Sequence, residues 1–233
     1  EENFFGLIQQ LDKLPGDVER FRVSSIEPNL LSDEIIRFCA TSDRFVPHFH
    51  IPLQSGSDLM LEKMRRRYDS ALYRSRIELI KKVMPHACIG VDVIVGHPGE
   101  TEEEFLKTYH FLNELPISYL HVFTYSERPN TTAVRVKDEI VPVPVRKKRN
   151  KMLTILSEKK KRAFYEPFAG TTRNVLFEHE NKDGFMFGYS DNYLRVRIPF
   201  DEAKAGTIIP TELGELTDDG VFDGNVLIAQ TTN

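Results

Sequence analysis

The chain has 233 residues, of which 40% are hydrophobic and 28% charged, and a formal net charge of −4. That length and balance suit one large or two modest folded domains, and they exclude a disordered chain and a uniformly basic nucleic-acid binder. No run approaches the roughly eighteen apolar residues of a membrane helix, and no basic-then-apolar leader is visible, so a cytoplasmic protein without a membrane partner is expected. The two cysteines, Cys39 and Cys88, lie far apart in apolar contexts and read as buried small hydrophobes, offering no CxxC-type metal site.

The opening stretch, EENFFGLIQQLDKLPG, carries no initiator Met and is already amphipathic, which predicts entry in mid-helix and a longer parent protein. Four apolar, β-rich runs follow: RFRVSSI (20–26), FHIPL (49–53), IGVDVIV (89–95) and YLHVFTY (119–125). Between them lie helical patterns. Ser32 reads as an N-cap ahead of Ile35, Ile36 and Cys39; residues 70–84 repeat apolar positions at helical spacing; Thr101 with Glu104 forms a capping box before Phe105, Tyr109 and Leu112. Apolar strands alternating with helices predict a parallel sheet covered by helices, either open and doubly wound or part of a (β/α) barrel.

After Ser126 the pattern changes. VPVPV (141–145) predicts an extended linker, stiffened by Pro142 and Pro144, ahead of a basic helix over about 146–166. From Arg146 to Arg162 nine basic residues face the single Glu158, either a solvated helix face or a footprint for a polyanion. From Thr171 to Thr231 five Lys/Arg meet eleven Asp/Glu, so basic patch and acidic tail belong to different units. TRNVLFE, GFMFGYS, NYLRVRIP, GTIIPTEL and NVLIAQ, separated by NKDG, SDN and DDG, predict a small antiparallel barrel. The expected division is 1–140, 141–168 and 169–233.

HFHIPLQSGSD, from His48, poses the question of chemistry. A His-x-His pair on a strand can hold zinc, with Asp92 and His97 as further ligands. In parallel α/β architectures, however, ligands sit at the C-terminal ends of strands. With a strand over 49–53, His48 and His50 stand at its wrong end, facing the bottom or the helix layer, and His121 also begins its strand. The strand tops SSIEP, PLQSGSD, VGHPGE and TYSERPNT are rich in glycine and in hydroxyl and amide groups, which suits a polar, adenosine-like or amino-acid-like ligand. Glu27 and Glu100 could accept hydroxyl or ammonium hydrogens. No Ser-His-Asp order, Walker loop or GxGxxG is present, so no catalytic residue and no metal ligand set is expected within this chain.

In order along the chain, RVSSIEP, HFHIPLQSGSD, LEKMRRRYD, DVIVGHPGETEEEF and HVFTYSERPNTTA resemble the methylthiotransferases, radical S-adenosylmethionine (SAM) enzymes that modify transfer RNA. HxHIPLQSGSD and GYSDNYLRV most resemble the branch acting on N6-threonylcarbamoyladenosine beside the anticodon. The resemblance implies an α/β fold: the last four strands of a radical SAM (β/α)6 partial barrel, followed by a small antiparallel β-barrel, the RNA-binding TRAM domain. It also implies SAM and two [4Fe-4S] clusters, one of them on a CxxxCxxC loop. That motif is absent here, so the chain alone is expected to be inactive, and the electron donor and sulfur source are open.

Carried over by position, the resemblance puts Ile94, Gly96, Pro98 and Gly99 near the adenine, with His97 where an apolar residue is usual. Glu27, Gln54, Ser55 and Ser57 would line the ribose and methionine side, and Arg66 would hold a carboxylate. Tyr125, Ser126 and Arg128 would face substrate. The tRNA anticodon loop would be gripped by Tyr189, Asn192, Tyr193, Arg195 and Arg197, with Lys159, Lys160 and Lys161 of the basic helix sharing the phosphates. Alternatives are action on isopentenyladenosine or a ribosomal-protein aspartate, an RNA-binding module only, or an HxH metal-dependent hydrolase.

Overall fold

Apolar alternation and helix capping together build the first unit, Glu1–Lys160, around a parallel sheet in the order β1-β2-β3-β4. The strands are β1 (Phe21–Val23), β2 (Phe45–His50), β3 (Cys88–Val95) and β4 (Tyr119–Thr124). The structure, a computed structural model, describes residues 3–127 and 140–227.

Each helix starts where a side chain can satisfy its first free N–H groups. α1 (Phe4–Asp12) begins on Asn3, whose side-chain Oδ1 accepts from the Gly6 N–H at 2.8 Å, so the opening stretch has its own cap and does not enter in mid-helix. Ser32 caps α2 (Asp33–Thr41) and Asp69 caps α4 (Ser70–Val83). Ser57 caps a short α3 (Asp58–Lys63) that the sequence pattern does not announce. Thr101 caps α5 (Glu102–Glu114), but only half of the expected capping box forms: the Glu104 carboxylate turns to the Ser57 hydroxyl and the Lys107 ammonium. Those two donors hold its pKa below the usual carboxylate value.

α6 (Val143–Tyr165) begins inside the stretch expected to be an extended linker. Pro144 falls in its first turn, where a missing backbone N–H costs nothing, so the prolines start the helix instead of delaying it. The boundary between the two units falls within α6, after Lys160.

Odd-numbered residues of β2 and β3 face the helices. Phe45, Phe49, Val91, Val93 and Val95 join Ile36, Tyr73, Ile77 and Phe105 in one core, with Leu120 of β4. The opposite face carries His48, His50, Asp92, His121 and Phe123. β2 starts at Phe45 because that residue pairs with Phe21 of β1 and stacks on its ring at 5.3 Å. The strand therefore begins four residues before the expected position. His48 and His50 end it and point away from the helix layer, contrary to the sequence reading.

The second unit, Lys161–Asn233, is a closed barrel in the order β5-β6-β7-β9-β8. Its strands are β5 (Thr172–Phe177), β6 (Phe185–Ser190), β7 (Arg195–Pro199), β8 (Ile208–Leu216) and β9 (Phe222–Val226). Val175, Phe177, Met186, Leu194, Val196, Ile198, Leu213 and Phe222 fill it, as period-2 alternation requires. Two details differ from expectation. β9 lies earlier than NVLIAQ, because Phe222 is the fully buried residue and stacks on Tyr165 at 5.7 Å. The β7 and β9 pairing is parallel, so the barrel is not wholly antiparallel.

Candidate functional site

The loop after β3, GHPGE, is shaped by two arginines of α6. Glu100 accepts from the Gly96 N–H at 2.7 Å and from Arg149 Nη1 at 2.7 Å, and Arg149 also donates to the Glu100 carbonyl at 2.9 Å. Both side chains are buried, at 1% and 4% exposure, so the charges meet where water cannot screen them. Burial pushes the Glu100 carboxyl up, and the Gly96 N–H and Arg149 pull it back. Arg146 donates to the carbonyls of Val141 at 2.6 Å and Tyr125 at 3.0 Å, and to the Glu127 carboxylate at 2.8 Å. α6 thus holds the ends of β3 and β4. Two of the nine basic residues read as a polyanion footprint are internal fastenings.

Gly96 has φ 77°, and a Cβ there would stand 2.4 Å from Cγ of Arg146. The glycine is required by the chain's own packing. Gly96→Ala is expected to lose at least about 1–3 kcal/mol of stability from backbone strain, read as a lowered urea midpoint.

The residues expected at the cofactor do not converge on one cavity. Ser25 and Glu27 border a space of about 610 Å³ lined by Phe4, Phe5 and Leu30, whereas Gly99 borders one of about 660 Å³ with Lys63, Thr101 and Arg149. Arg66 donates to the Glu27 carboxylate at 3.0 Å. Gln54, in left-handed backbone at φ 69°, bridges to β3 through bonds to the Asp92 carbonyl and from the Ile94 N–H, which puts it beside Ile94. Ser55 is fully buried with its hydroxyl 3.0 Å from that of Thr108, and the Ser57 hydroxyl is engaged by Glu104 and the α3 N-terminus. These two serines shape the loop. Pro98 is buried; its carbonyl lies 3.0 Å from His97 Nδ1. Tyr125 lies against His97 and under the Arg146 guanidinium, Ser126 is exposed, and Arg128 lies outside the described residues.

The face away from the helices carries a polar cluster. Tyr119 lies across Gly90, where a Cβ would be 2.3 Å from its ring, and His48 Nε2 is 3.2 Å from its hydroxyl. Burial, with Arg22 and His50 nearby, lowers the His48 pKa to about 3. Folded His48 therefore stays neutral while the unfolded chain takes up a proton below about pH 6.5. Stability is complete above that pH and falls as pH drops toward 3. Near pH 5 the loss is about 2 kcal/mol, and His48→Asn should remove that slope from urea midpoints measured against pH. His50 Nε2 contacts Asp92 Oδ1 at 2.8 Å, and His121 Nδ1 approaches the same oxygen at 3.3 Å. The HxH pair does not act as a unit: His48 goes to Tyr119, His50 to Asp92.

On the barrel, β6 and β7 turn a stripe of rings and guanidinium groups outward. The register sets Tyr189 opposite Arg195 and Phe187 opposite Arg197. Arg195 lies 4.9 Å over Phe187 and 5.8 Å over Tyr189, Arg197 lies 4.9 Å over Phe185, and Tyr189 stacks on Tyr193 at 4.5 Å. Asp223 pairs with Arg197 at 2.6 Å and raises its pKa, while no carboxylate among the described residues pairs with Arg195. Asn192 is fully buried with Ser190 donating to it, so it supports the turn. Phe185 and Phe187 were missed from sequence, although the alternation of GFMFGYS already sets them on Tyr189's face.

In α6, Lys160 is not a free cation: it donates to the carbonyls of Asn113 and Leu115, closing the end of α5, and burial lowers its pKa. Lys161 lies over the Tyr165 ring at 5.2 Å. Lys147, Lys148, Lys151 and Lys159 are exposed.

Cys39 and Cys88 are both buried, and burial pushes the Cys39 thiol up to about 12. Two buried cysteines, on α2 and β3, cannot supply the set of thiolates that a cluster needs, so this chain's residues do not fit an iron–sulfur cluster. No helix of the described residues is long and apolar enough to cross a membrane.

Residues 3–112 match the radical SAM superfamily. The chain is 37% identical over 215 residues to threonylcarbamoyladenosine tRNA methylthiotransferase of Bacillus subtilis, covering 91% of this chain and 48% of that protein. It is 39% identical to the Aquifex aeolicus protein of the same name over 77% of this chain and 43% of the relative. It is 32% identical to tRNA-2-methylthio-N(6)-dimethylallyladenosine synthase of Symbiobacterium thermophilum, over 91% and 45%. The chain spans about half the length of these curated relatives. Coproporphyrinogen III oxidase (HemN) from Escherichia coli superposes with TM-score 0.47 at 17% identity over 70% of this chain and 37% of its own, too distant to add to the fold seen directly. With a helix-covered parallel sheet and a fastened glycine loop at its end, residues 3–112 belong to the radical SAM superfamily, and the chain is similar to tRNA methylthiotransferases along most of its length.

Proposed function

We propose that this chain works within a tRNA methylthiotransferase that adds a methylthio group to C2 of N6-threonylcarbamoyladenosine beside the anticodon, in the cytoplasm. The observation that carries the reading is the joint occurrence, in one chain 37% identical to such an enzyme, of the parallel sheet and the outward ring-and-guanidinium stripe of the barrel. SAM, when bound with a reduced cluster, supplies the radical for the reaction; both [4Fe-4S] clusters of the intact protein would be held by residues outside this chain. Ile94, Gly96, Pro98, Gly99 and Gln54 would border the cofactor, with the Arg66 and Glu27 pair on the methionine side. Arg149 and Glu100 would keep the loop set.

For the RNA, Tyr189, Tyr193 and Phe187 would stack unpaired bases, and Arg195 would reach a phosphate. The exposed lysines of α6, Lys159 among them, would add phosphate contacts. The test uses the intact protein with reconstituted clusters, a reductant and SAM. A tRNA carrying threonylcarbamoyladenosine should gain a methylthio group by mass spectrometry, and one carrying isopentenyladenosine should not. A sequence upstream of residue 1 without CxxxCxxC would end the radical mechanism.

A further inference from the structure

Three donor atoms from three neighbouring strands meet on the face of the sheet away from the helices. Register brings this about. Asp92 of β3 pairs directly with His121 of β4, and His50 of β2 pairs with Gly90, one step along the same face from Asp92. The His50 imidazole reaches diagonally to the Asp92 carboxylate, while the Tyr119 ring lies across Gly90. His50 Nε2, Asp92 Oδ1 and His121 Nδ1 all lie within 4.8 Å of one another, with the shorter separations 2.8 and 3.3 Å.

We propose that these three residues form a binding site for one divalent first-row ion of the zinc type. Bonds of about 2.0–2.2 Å to a tetrahedral ion place ligand atoms roughly 3.3 Å apart, so the side chains need shift only by tenths of an ångström to about 1.5 Å to close on it. Two imidazoles and one carboxylate form a nitrogen and oxygen set suited to zinc, cobalt or nickel; magnesium and calcium prefer all-oxygen sites. No other partner of these three residues competes for the donor atoms among the described residues. The rings are also held in place: Tyr119, itself fixed by His48, lies 6.3 Å from the His50 ring and 5.2 Å from the His121 ring.

The exposure is graded, with side chains 11% exposed at His50, 22% at Asp92 and 54% at His121. Three protein ligands with an open outer side leave a fourth position for water or another exchangeable ligand, the arrangement of a reactive site and not of a closed structural one. The cysteines cannot compete, being buried and, for Cys39, held as the thiol. Asp92 lies two residues from Ile94 on the same face of β3, but ion binding itself would need neither SAM nor RNA, so its test stands apart from the tRNA reading.

The test is a titration of the chelator-stripped 233-residue chain with Co2+, followed by visible d–d absorption. One equivalent should bind with the intense bands of a four-coordinate site, and Zn2+ should displace it. His121→Ala, at an exposed position, and Asp92→Asn should each weaken binding at least about tenfold. His110→Ala, exposed on α5, should leave it unchanged. Absence of the bands, or binding that persists equally in both His121→Ala and Asp92→Asn, would overturn the site and leave a hydrogen-bonded triad only.

Discussion

Replacing Arg149 by Ala is expected to lower the stability of the chain by about 3–5 kcal/mol, read as a fall in the urea midpoint at unchanged slope. The reason is not the strength of one ion pair. Glu100 is 1% exposed in its side chain, and removal of its partner leaves a carboxylate in a place that water does not reach. The same carboxylate holds the Gly96 N–H, and the guanidinium lies over Phe105 at 5.2 Å, so loop and helix loosen together. A double replacement, Arg149→Met with Glu100→Gln, should recover more than about 1 kcal/mol relative to Arg149→Ala, because no charge is left unpaired. A midpoint for Arg149→Ala close to the parent's would mean that the pair is not buried as described. Lys147→Ala and Lys148→Ala, at exposed positions of the same helix, should stay within about 0.5 kcal/mol.

Phe187→Ala should weaken binding of an anticodon stem-loop by about 1–3 kcal/mol, roughly five- to 150-fold, if an unpaired base stacks on the stripe. Arg195→Ala should weaken it too, and should lower the slope of log affinity against log salt by about one, the signature of a lost phosphate contact. Arg197 is a weaker candidate because Asp223 already pairs with it. Lys160→Gln gives the informative contrast: since its ammonium closes α5, the loss should show in stability more than in RNA affinity. Gel-shift titrations at two or more salt concentrations measure all of these, and affinities unmoved by Phe187→Ala and Arg195→Ala together would remove the barrel stripe from the RNA surface.

Much of the fold is legible from local rules. Ser32, Asp69 and Thr101 mark helix starts because a side-chain oxygen next to an apolar-periodic run satisfies free N–H groups, and the structure uses all three. The alternation in GFMFGYS and NYLRVRIP fixes which residues fill the barrel and which face outward. What misled was also local in form. VPVPV looks extended, yet Pro144 is tolerated in a first helical turn; FHIPL looks like a strand start, yet the ladder begins at Phe45, where ring stacking on Phe21 compensates for a less apolar sequence.

The candidate sites divide in the same way. By itself the sequence determined the alternation of strand and helix, the small barrel after it, the five ordered motifs of the methylthiotransferases, and the lack of cysteines able to hold a cluster. The strands, helices, barrel and cysteine count follow from periodicity, capping and composition, which act over a few residues, and the motifs from their resemblance to that family. Only the tertiary structure decided which cations are free: Arg146, Arg149 and Lys160 read identically to their neighbours in RKKRNKMLTILSEKKKR, but helix packing turns them inward to carbonyls and carboxylates. It also decided that His50 belongs with Asp92 and His121 and not with His48, because strand register, set by hydrogen bonding between chains of residues far apart in sequence, chooses which side chains share a face and a level.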